Sequence, residues 1–236
     1  MPLLMEQFGV DLAQASRLMS VFSVAPRQDL QMPSTAPSSL PARIVGPPEL
    51  ETVTTIIALS FAEDPVWGPA FGGASDHEAR LAIWRTYIAA AIRFPETWLS
   101  ARGEAASVWF PPGEDEMTAD QWDGFVAIMQ EHLGDADAER VVALFGRFDA
   151  AHPRAEPHYY LSLLGTHPEH RGAGHGMRLL ADNLDRIEAE GMPAYLESTN
   201  PANNGRYGRL GFEVVGSFEG YLPGSAITTM WRPARR

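Results

Sequence analysis

The hexapeptide Arg171-Gly172-Ala173-Gly174-His175-Gly176 holds the clearest chemistry in the chain, because alternate glycines leave its backbone bare and free to turn amides inward. It runs directly into a segment whose apolar positions Met177, Leu180, Leu184 and Ile187 recur at helical spacing. The first turn of a helix carries N–H groups without intrahelical partners, and the helix dipole adds positive potential there. A phosphate or pyrophosphate is the guest that suits such a loop. The competing reading is a glycine-rich turn that joins strand to helix. Two other readings fail. Gly172-x-Gly174-x-Gly176 has the wrong final spacing for a dinucleotide fingerprint, and no short strand–turn–helix unit opens the chain. A Walker-type loop requires a lysine, and all 18 basic residues are arginine.

The missing lysine also removes Schiff-base chemistry. With no cysteine, disulfides, thiolate metal sites and a cysteine acyl-enzyme are excluded. His167, His170 and His175 raise the question of a metal, but His167-x-x-His170 spans Pro168 in a turn with no acidic or cysteine partner arranged around it. Solvent-facing or phosphate-adjacent histidines are expected there, and no metal. A formal net charge of −12 argues against nucleic acid, whose phosphates need clustered cations, and mildly favours cationic small molecules.

The elements that must position the loop are legible on either side of it. His158 to Leu164 reads as a strand, with Tyr159, Leu161 and Leu163 on one face and Tyr160, Ser162 and Leu164 on the other, ending at Gly165 to Pro168. A short strand, Ala194 to Ser198, follows the helix, and an Asn/Pro-rich turn leads to Tyr207 and Gly211-Phe212. Upstream, a strand at 42–45, a helix over 49–61, a helix from Ser75 or Asp76 to Phe94, and a hairpin of 97–101 with 105–110 are expected. Thr118-x-x-Gln121 is a capping-box start for a helix bearing Trp122, Phe125, Met129 and Leu133, and a second helix covers 137–150. The prolines and glycines of 64–73 predict an irregular loop. Strands at 213–218 and 227–231 close the chain as an antiparallel pair. The order gives a mixed α/β or α+β sheet.

At this point the chain resembles the GNAT superfamily of acyl-CoA-dependent N-acetyltransferases. Arg171-x-x-Gly174-x-Gly176 is similar to its pyrophosphate loop, and Tyr207-x-Arg209-x-Gly211-Phe212 to its Y-x-x-x-G-F segment. The order of Ala106-Ser107-Val108-Trp109 with Pro111, then Pro168 to Gly172, then Pro193 to Glu197 is similar to that of puromycin N-acetyltransferase-like proteins. Gly208 departs from the usual acidic residue, and a glycine there would weaken the helix that carries Tyr207.

The resemblance implies a twisted, mostly antiparallel sheet with a splayed central parallel strand pair and helices on both faces. The two helices between the third and fourth strands are an insertion that walls the acceptor side. It implies direct transfer of acetyl from acetyl-CoA to a primary amine in a ternary complex. Leu164, Gly165 and Thr166 would pair with the pantetheine arm, Arg171, Gly172, Ala173, Gly174, His175 and Gly176 would hold the pyrophosphate, and Asn203 would face the coenzyme. Tyr207 would be general acid to the departing sulfur, since a phenol of pKa about 10 can protonate a thiolate whose acid is nearer about 8.5; its other reading is packing beside Gly211-Phe212. Glu197 is the leading base, with binding a cationic acceptor or pairing with an arginine as alternatives. His158 is the second candidate base, and Asp64 the third, more naturally an amine anchor. Trp67, Phe71 and Trp109 are candidate acceptor contacts, with core anchoring equally open for the two loop aromatics. The acceptor is expected to be a small-molecule amine, an antibiotic among the options. A protein N-terminus or lysine is the alternative acceptor, and a silent acyl-CoA-binding regulatory module the alternative of another class.

Residues 1–31 carry a stripe of Phe8, Leu12, Ala15, Met19 and Phe22 and read as an amphipathic helical extension, packed on its own domain or on a partner subunit, so that a homodimer is allowed. Leader sequence upstream of an internal start at Met32 is the second reading. Residues 32–41 read as a Pro/Ser-rich linker, 42–232 as the acetyltransferase domain and 233–236 as a tail. The apolar stretch of the extension has no basic residue before it and is interrupted by Glu6 and Asp11, which fits neither a signal peptide nor a membrane span. A cytoplasmic setting and no membrane partner are the expectations.

Overall fold

A computed structural model describes residues 42–72 and 76–234, so the amphipathic extension, the linker and the last two residues lie outside it. The described chain forms a seven-stranded sheet in the order β1-β2-β3-β4-β5-β7-β6. The strands are β1 (Arg43–Ile44), β2 (Thr97–Leu99), β3 (Ala105–Phe110), β4 (Tyr159–Thr166), β5 (Ala194–Ser198), β6 (Glu213–Glu219) and β7 (Ala226–Arg232). β4 and β5 are parallel, and all other neighbours are antiparallel. The helices are α1 (Leu50–Ser60), α2 (Trp67–Ala70), α3 (His77–Ala91), α4 (Ala119–Leu133), α5 (Asp135–Ala151), α6 (His175–Ala189) and α7 (Asn204–Gly208). No described helix is long and apolar enough to cross a membrane.

Two cores flank the sheet. On one face Ile57, Trp84, Val108, Phe110, Tyr160 and Tyr195 pack with Phe125 and Leu144 of the insertion helices. On the other, Trp109, Tyr159, Leu161 and Leu196 pack under Leu180, Leu184 and Ile187 of α6, the apolar stripe legible in the sequence. The capping box of α4 forms as its spacing predicts, with Thr118 and Gln121 bonding each other's backbone N–H.

The alternation expected along β4 breaks. Trp109 pairs with Leu161 but Val108 pairs with Leu163, so Ser162 is an extra residue in β4. Such a bulge re-aims every side chain after it. Leu163 therefore joins Tyr160 on the face of α1 and α3, while Leu164 joins Leu161 on the face of α6. The strand also runs on to Thr166 instead of ending before Gly165.

The expected irregular loop after α1 contains a helical turn. Asp64 Oδ1 accepts from the N–H groups of Val66 and Trp67 at 2.9 and 3.0 Å, which satisfies donors that α2 leaves open. Pro69 sits in the first turn, where no N–H is needed.

Candidate active site

β4 and β5 pair only as far as Leu161 with Leu196. Beyond that point β4 keeps its partner β3 through Thr166, and β5 keeps its partner β7 through Ser198, so the two central strands part. His167 N–H bonds Glu104 C=O, and alternation along the antiparallel ladder then assigns the amides of Leu163 and Gly165 to β3. The N–H groups of Leu164 and Thr166 face the gap, while Thr166 C=O accepts from Ser60 Oγ at 2.9 Å. Gly165 is thus not a pairing partner for a guest there, contrary to the expectation. Its missing side chain instead lets α1 close on β4, since a Cβ would stand 2.7 Å from Ser60 Oγ.

A cavity of about 1380 Å³ occupies the gap and its surroundings. One end is built by the glycine loop. Gly172 and Gly174 have φ of +84° and +79°, with open space where a Cβ would be, and α6 starts with no side-chain cap on its first turn. The free donors of that turn are what a phosphate needs. Gly176 has a different role: a Cβ would lie 2.6 Å from Thr166 Oγ1, so its glycine lets α6 approach β4. Ala173 does not line the cavity, whereas Gly172, Gly174, His175 and Gly176 do. The Arg171 guanidinium folds back onto α1, bonding Ser60 C=O at 3.1 Å and Glu63 at 3.3 Å. Among the described residues no group of three or more His, Asp or Glu is placed to hold a metal.

Tyr207 and Asn203 reach the same cavity from the segment after β5. Asn200 caps that segment by accepting from Ala202 N–H, and Asn203 accepts from Arg206 at 2.8 Å. α7 ends at Gly208, so the glycine sits at the last position of the helix, where its cost is small. Burial, and then the Asp64 carboxylate, push the Tyr207 phenol up to about 12. Asp64 itself is spent on structure: besides capping α2, its Oδ2 accepts from Thr199 Oγ1 at 2.8 Å, tying the loop after α1 to the end of β5. Burial raises its carboxyl.

Glu197 lies across from the bulge, with its side chain 2% exposed and facing the cavity. Its carboxyl is pushed up to about 8 by burial, against the hydroxyls of Tyr160 and Tyr195, which favour the charged form. Oε1 meets no hydrogen-bond donor. The nearest group is His152 Nδ1 at 4.0 Å. Tautomers follow from the far end of this arrangement. His158 Nδ1 lies 2.7 Å from Glu156 C=O, which only accepts, so Nδ1 carries the proton and Nε2 is bare. His152 Nε2, 3.1 Å away, must then be the donor, which leaves His152 Nδ1 bare toward Glu197. Both rings are neutral near pH 7: burial lowers His158, and burial with the neighbouring His158 lowers His152 to about 4. Close contact with Glu197 is therefore no ion pair.

Glu116, in the segment before α4, was not singled out by sequence. Its Oε2 accepts from Tyr87 OH at 2.7 Å, and Tyr87 OH is also 2.7 Å from Ser162 Oγ of the bulge. Tyr160, Glu116 and Glu197 line the same cavity. No local motif marks these residues, because α3, β4, β5 and the insertion bring them together from four parts of the chain.

The charges divide along the cavity. Arg171, Arg206 and Arg209 stand at the glycine loop and α7 together with Glu63, which pairs with Arg171, and Asp64, whereas Glu114, Asp115, Glu116, Asp149, Glu156 and Glu197 stand toward the insertion helices and β5. Arg154 is also at that end, paired with Asp149. An anion fits the first end and a cation the second. Trp67 lines the acidic side, stacked on Phe148 at 5.5 Å. Two expected acceptor contacts are elsewhere. Phe71 is fully buried against Trp84 and Trp67. Trp109 is fully buried on the α6 face, its indole N–H bonding Asn183 at 3.0 Å, because alternation along β3 turns it away from the cavity.

Comparison with known proteins agrees with this layout. Residues 95–212 match the Acetyltransferase (GNAT) family. An acetyltransferase from Corynebacterium glutamicum, described with histone acetyltransferase HPA2, is 21% identical with a TM-score of 0.57 over 84% of this chain and 98% of its own. Drosophila melanogaster polyamine N-acetyltransferase is 15% identical with a TM-score of 0.56 over 80% and 97%. An agmatine N-acetyltransferase is 17% identical with a TM-score of 0.51 over 80% and 96%. With a family match that spans the strand gap, the glycine loop and the segment of Tyr207, the chain belongs to the GNAT family of acetyltransferases, enzymes that use acetyl-CoA as acyl donor.

Proposed function

We propose that this acetyltransferase acts on a primary amine of a cationic small molecule, by direct transfer in a ternary complex. The observation that carries the reading is Glu197 Oε1, a buried carboxylate oxygen without a donor at the acidic end of the cavity. An acceptor ammonium supplies the missing N–H. Similarity to polyamine and agmatine N-acetyltransferases supports a small cationic acceptor. The motif order shared with puromycin N-acetyltransferase-like proteins keeps an antibiotic amine among the acceptors to test.

Acetyl-CoA supplies the activated acyl group. The glycine loop and the first turn of α6 hold its diphosphate, and the amides of Leu164 and Thr166 orient its arm in the gap. Glu197 takes the extra proton of the ammonium, freeing the lone pair that forms the C–N bond. As the C–S bond breaks, Tyr207 donates its proton to sulfur, and the second proton lost by nitrogen restores the balance. A phenol near 12 is protonated throughout the working range, as an acid must be.

Thiol release from acetyl-CoA, measured against a panel of monoamines, diamines, aminoguanidines, aminonucleosides and lysine or N-terminal peptides, tests this. Turnover with cationic small amines and none with peptides is the expected result. Turnover confined to peptides would transfer the assignment to a protein acceptor.

A further inference from the structure

Tyr160 and Tyr195 pair across the two central strands, and both belong to the core on the face of the insertion helices. Two residues further along each strand stand Ser162 and Glu197, which therefore flank the place where the strands part. Ser162 Oγ lies 2.7 Å from Tyr87 OH of α3, and Tyr87 OH donates to Glu116 Oε2 at 2.7 Å. Glu116 thus stands two hydrogen bonds from the mouth of the gap, in a cavity that all four of these polar residues line. The rings of Tyr87, Phe110 and Tyr160 form a row on the same wall, with centroids 6.4 and 6.1 Å apart.

Both carboxylates are held in place, and both lack a cation. The Glu197 side chain is 2% exposed, and its Oε1 meets no donor. Glu116 is fixed by Tyr87 and by its own carbonyl, which accepts from Arg93 at 2.9 Å, yet its carboxylate forms no ion pair among the described residues. The cations nearby are engaged elsewhere. Arg93 also bonds Ala90 C=O and Gln121 Oε1, and Arg154 pairs with Asp149. Glu114, Asp115 and Glu156 are exposed, so water serves them.

We propose that the acceptor is a dication: the amine to be acetylated meets Glu197, and a second ammonium or guanidinium, carried on a short aliphatic chain, meets Glu116. The proposal rests on the cationic small-molecule acceptor of the preceding section and adds its second charge. A carboxylate taken from water without a partner is costly, and a ligand cation that bonds it recovers that cost. The methylenes between the two charges suit the row of rings.

Steady-state kinetics of the full chain, comparing α,ω-diaminoalkanes with n-alkylamines of equal carbon number, test this. The diamine should exceed the monoamine in kcat/KM by about tenfold or more, through its KM. Glu116→Gln keeps an oxygen for Tyr87 and removes the charge, so the ratio of diamine to monoamine should fall toward one. Tyr87→Phe keeps the ring but releases the carboxylate, and should lower the ratio by a smaller factor. A wild-type ratio near one, or a ratio that Glu116→Gln leaves unchanged, overturns the proposal. A second readout needs no turnover: calorimetric titration of the same amines into protein saturated with coenzyme A. Should no small amine be acetylated, the proposed reaction fails, but the titration still decides the site. Tighter binding of the diamine that Glu116→Gln abolishes supports it, whereas equal or absent binding of the two amines overturns it.

Discussion

His152 turns a lone pair toward Glu197, with Nδ1 4.0 Å from Oε1, because a carbonyl at the other end of the histidine pair fixes both tautomers. A protonated histidine there would neutralise the carboxylate. A bare nitrogen gives it no counter-charge, so the carboxyl holds its proton up to about pH 8, and only above that is the carboxylate free to take a proton from an ammonium.

That arrangement costs stability, and the cost has a pH signature. The Glu197 carboxyl sits at about 8 in the folded chain against 4.5 in an exposed one. Below 4.5 it is protonated in both states; between 4.5 and 8 the unfolded chain releases the proton while the folded chain keeps it, so stability falls as pH rises through that window. Glu197→Gln removes the loss. Its melting temperature should exceed that of wild type by ~5 °C more at pH 8.5 than at pH 5, measured by calorimetry. The same variant should lose about 100-fold or more in kcat, since no other carboxylate can take over at Oε1. Equal Tm differences at both pH values would show that the carboxyl is not buried as an acid.

Tyr207→Phe removes the proton donor without changing the ring that packs beside Phe212 at 6.2 Å. Turnover should fall by about 100-fold, with KM for acetyl-CoA within a few-fold of wild type. Because the phenol is pushed up to about 12, wild-type kcat should show no falling alkaline limb from this group below about pH 11. A coenzyme KM that rises as steeply as kcat falls would make Tyr207 a binding residue only.

The glycines of the site separate into two classes that a thermal melt and a coenzyme titration distinguish. Gly174→Ala places a side chain into open space but forces a left-handed φ of +79°, in the loop that grips phosphate. A cost of ~1 kcal/mol and a severalfold weaker coenzyme KM are expected. Gly165→Ala brings a Cβ to 2.7 Å from Ser60 Oγ and 3.0 Å from Ile57, between a helix and a central strand. Its Tm should drop further, by about 5 °C or more, with coenzyme affinity changed less per degree lost.

What the sequence made legible was local. The α6 stripe, the α4 capping box and the glycine loop each depend on spacing within one element, and each forms where its spacing placed it. The bulge at Ser162 did not show, because an inserted residue leaves the apolar character of the strand unchanged and alters only which face follows. Alternation along β3 sets Trp109 apart from Val108 and Phe110, but which of the two faces meets the cavity depends on the helices packed there and is not written in the strand. Glu116 does not stand out from Glu114 and Asp115, its neighbours in the same loop, until the Tyr87 hydroxyl selects it at 2.7 Å.

Asp64 offers the sharpest test between an anchor and a clamp. Its sequence position makes it a third candidate base, more naturally an amine anchor, but its two oxygens already accept from Val66 N–H, Trp67 N–H and Thr199 Oγ1. A carboxylate with its lone pairs engaged in this way gains little from a further donor, whereas removing it orphans two amides at the start of α2 and a hydroxyl at the end of β5. Asp64→Ala should therefore cost ~2 kcal/mol of stability. Thr199→Val, which touches no acceptor charge, should reproduce a smaller part of the same loss. Both should raise KM for coenzyme and amine together, since the clamp holds the loop after α1 against the strand that carries Glu197. An increase confined to the amine KM in Asp64→Asn, with Tm unchanged and Thr199→Val silent, would restore the anchor role; parallel loss of stability in Asp64→Ala and Thr199→Val fixes it as the clamp.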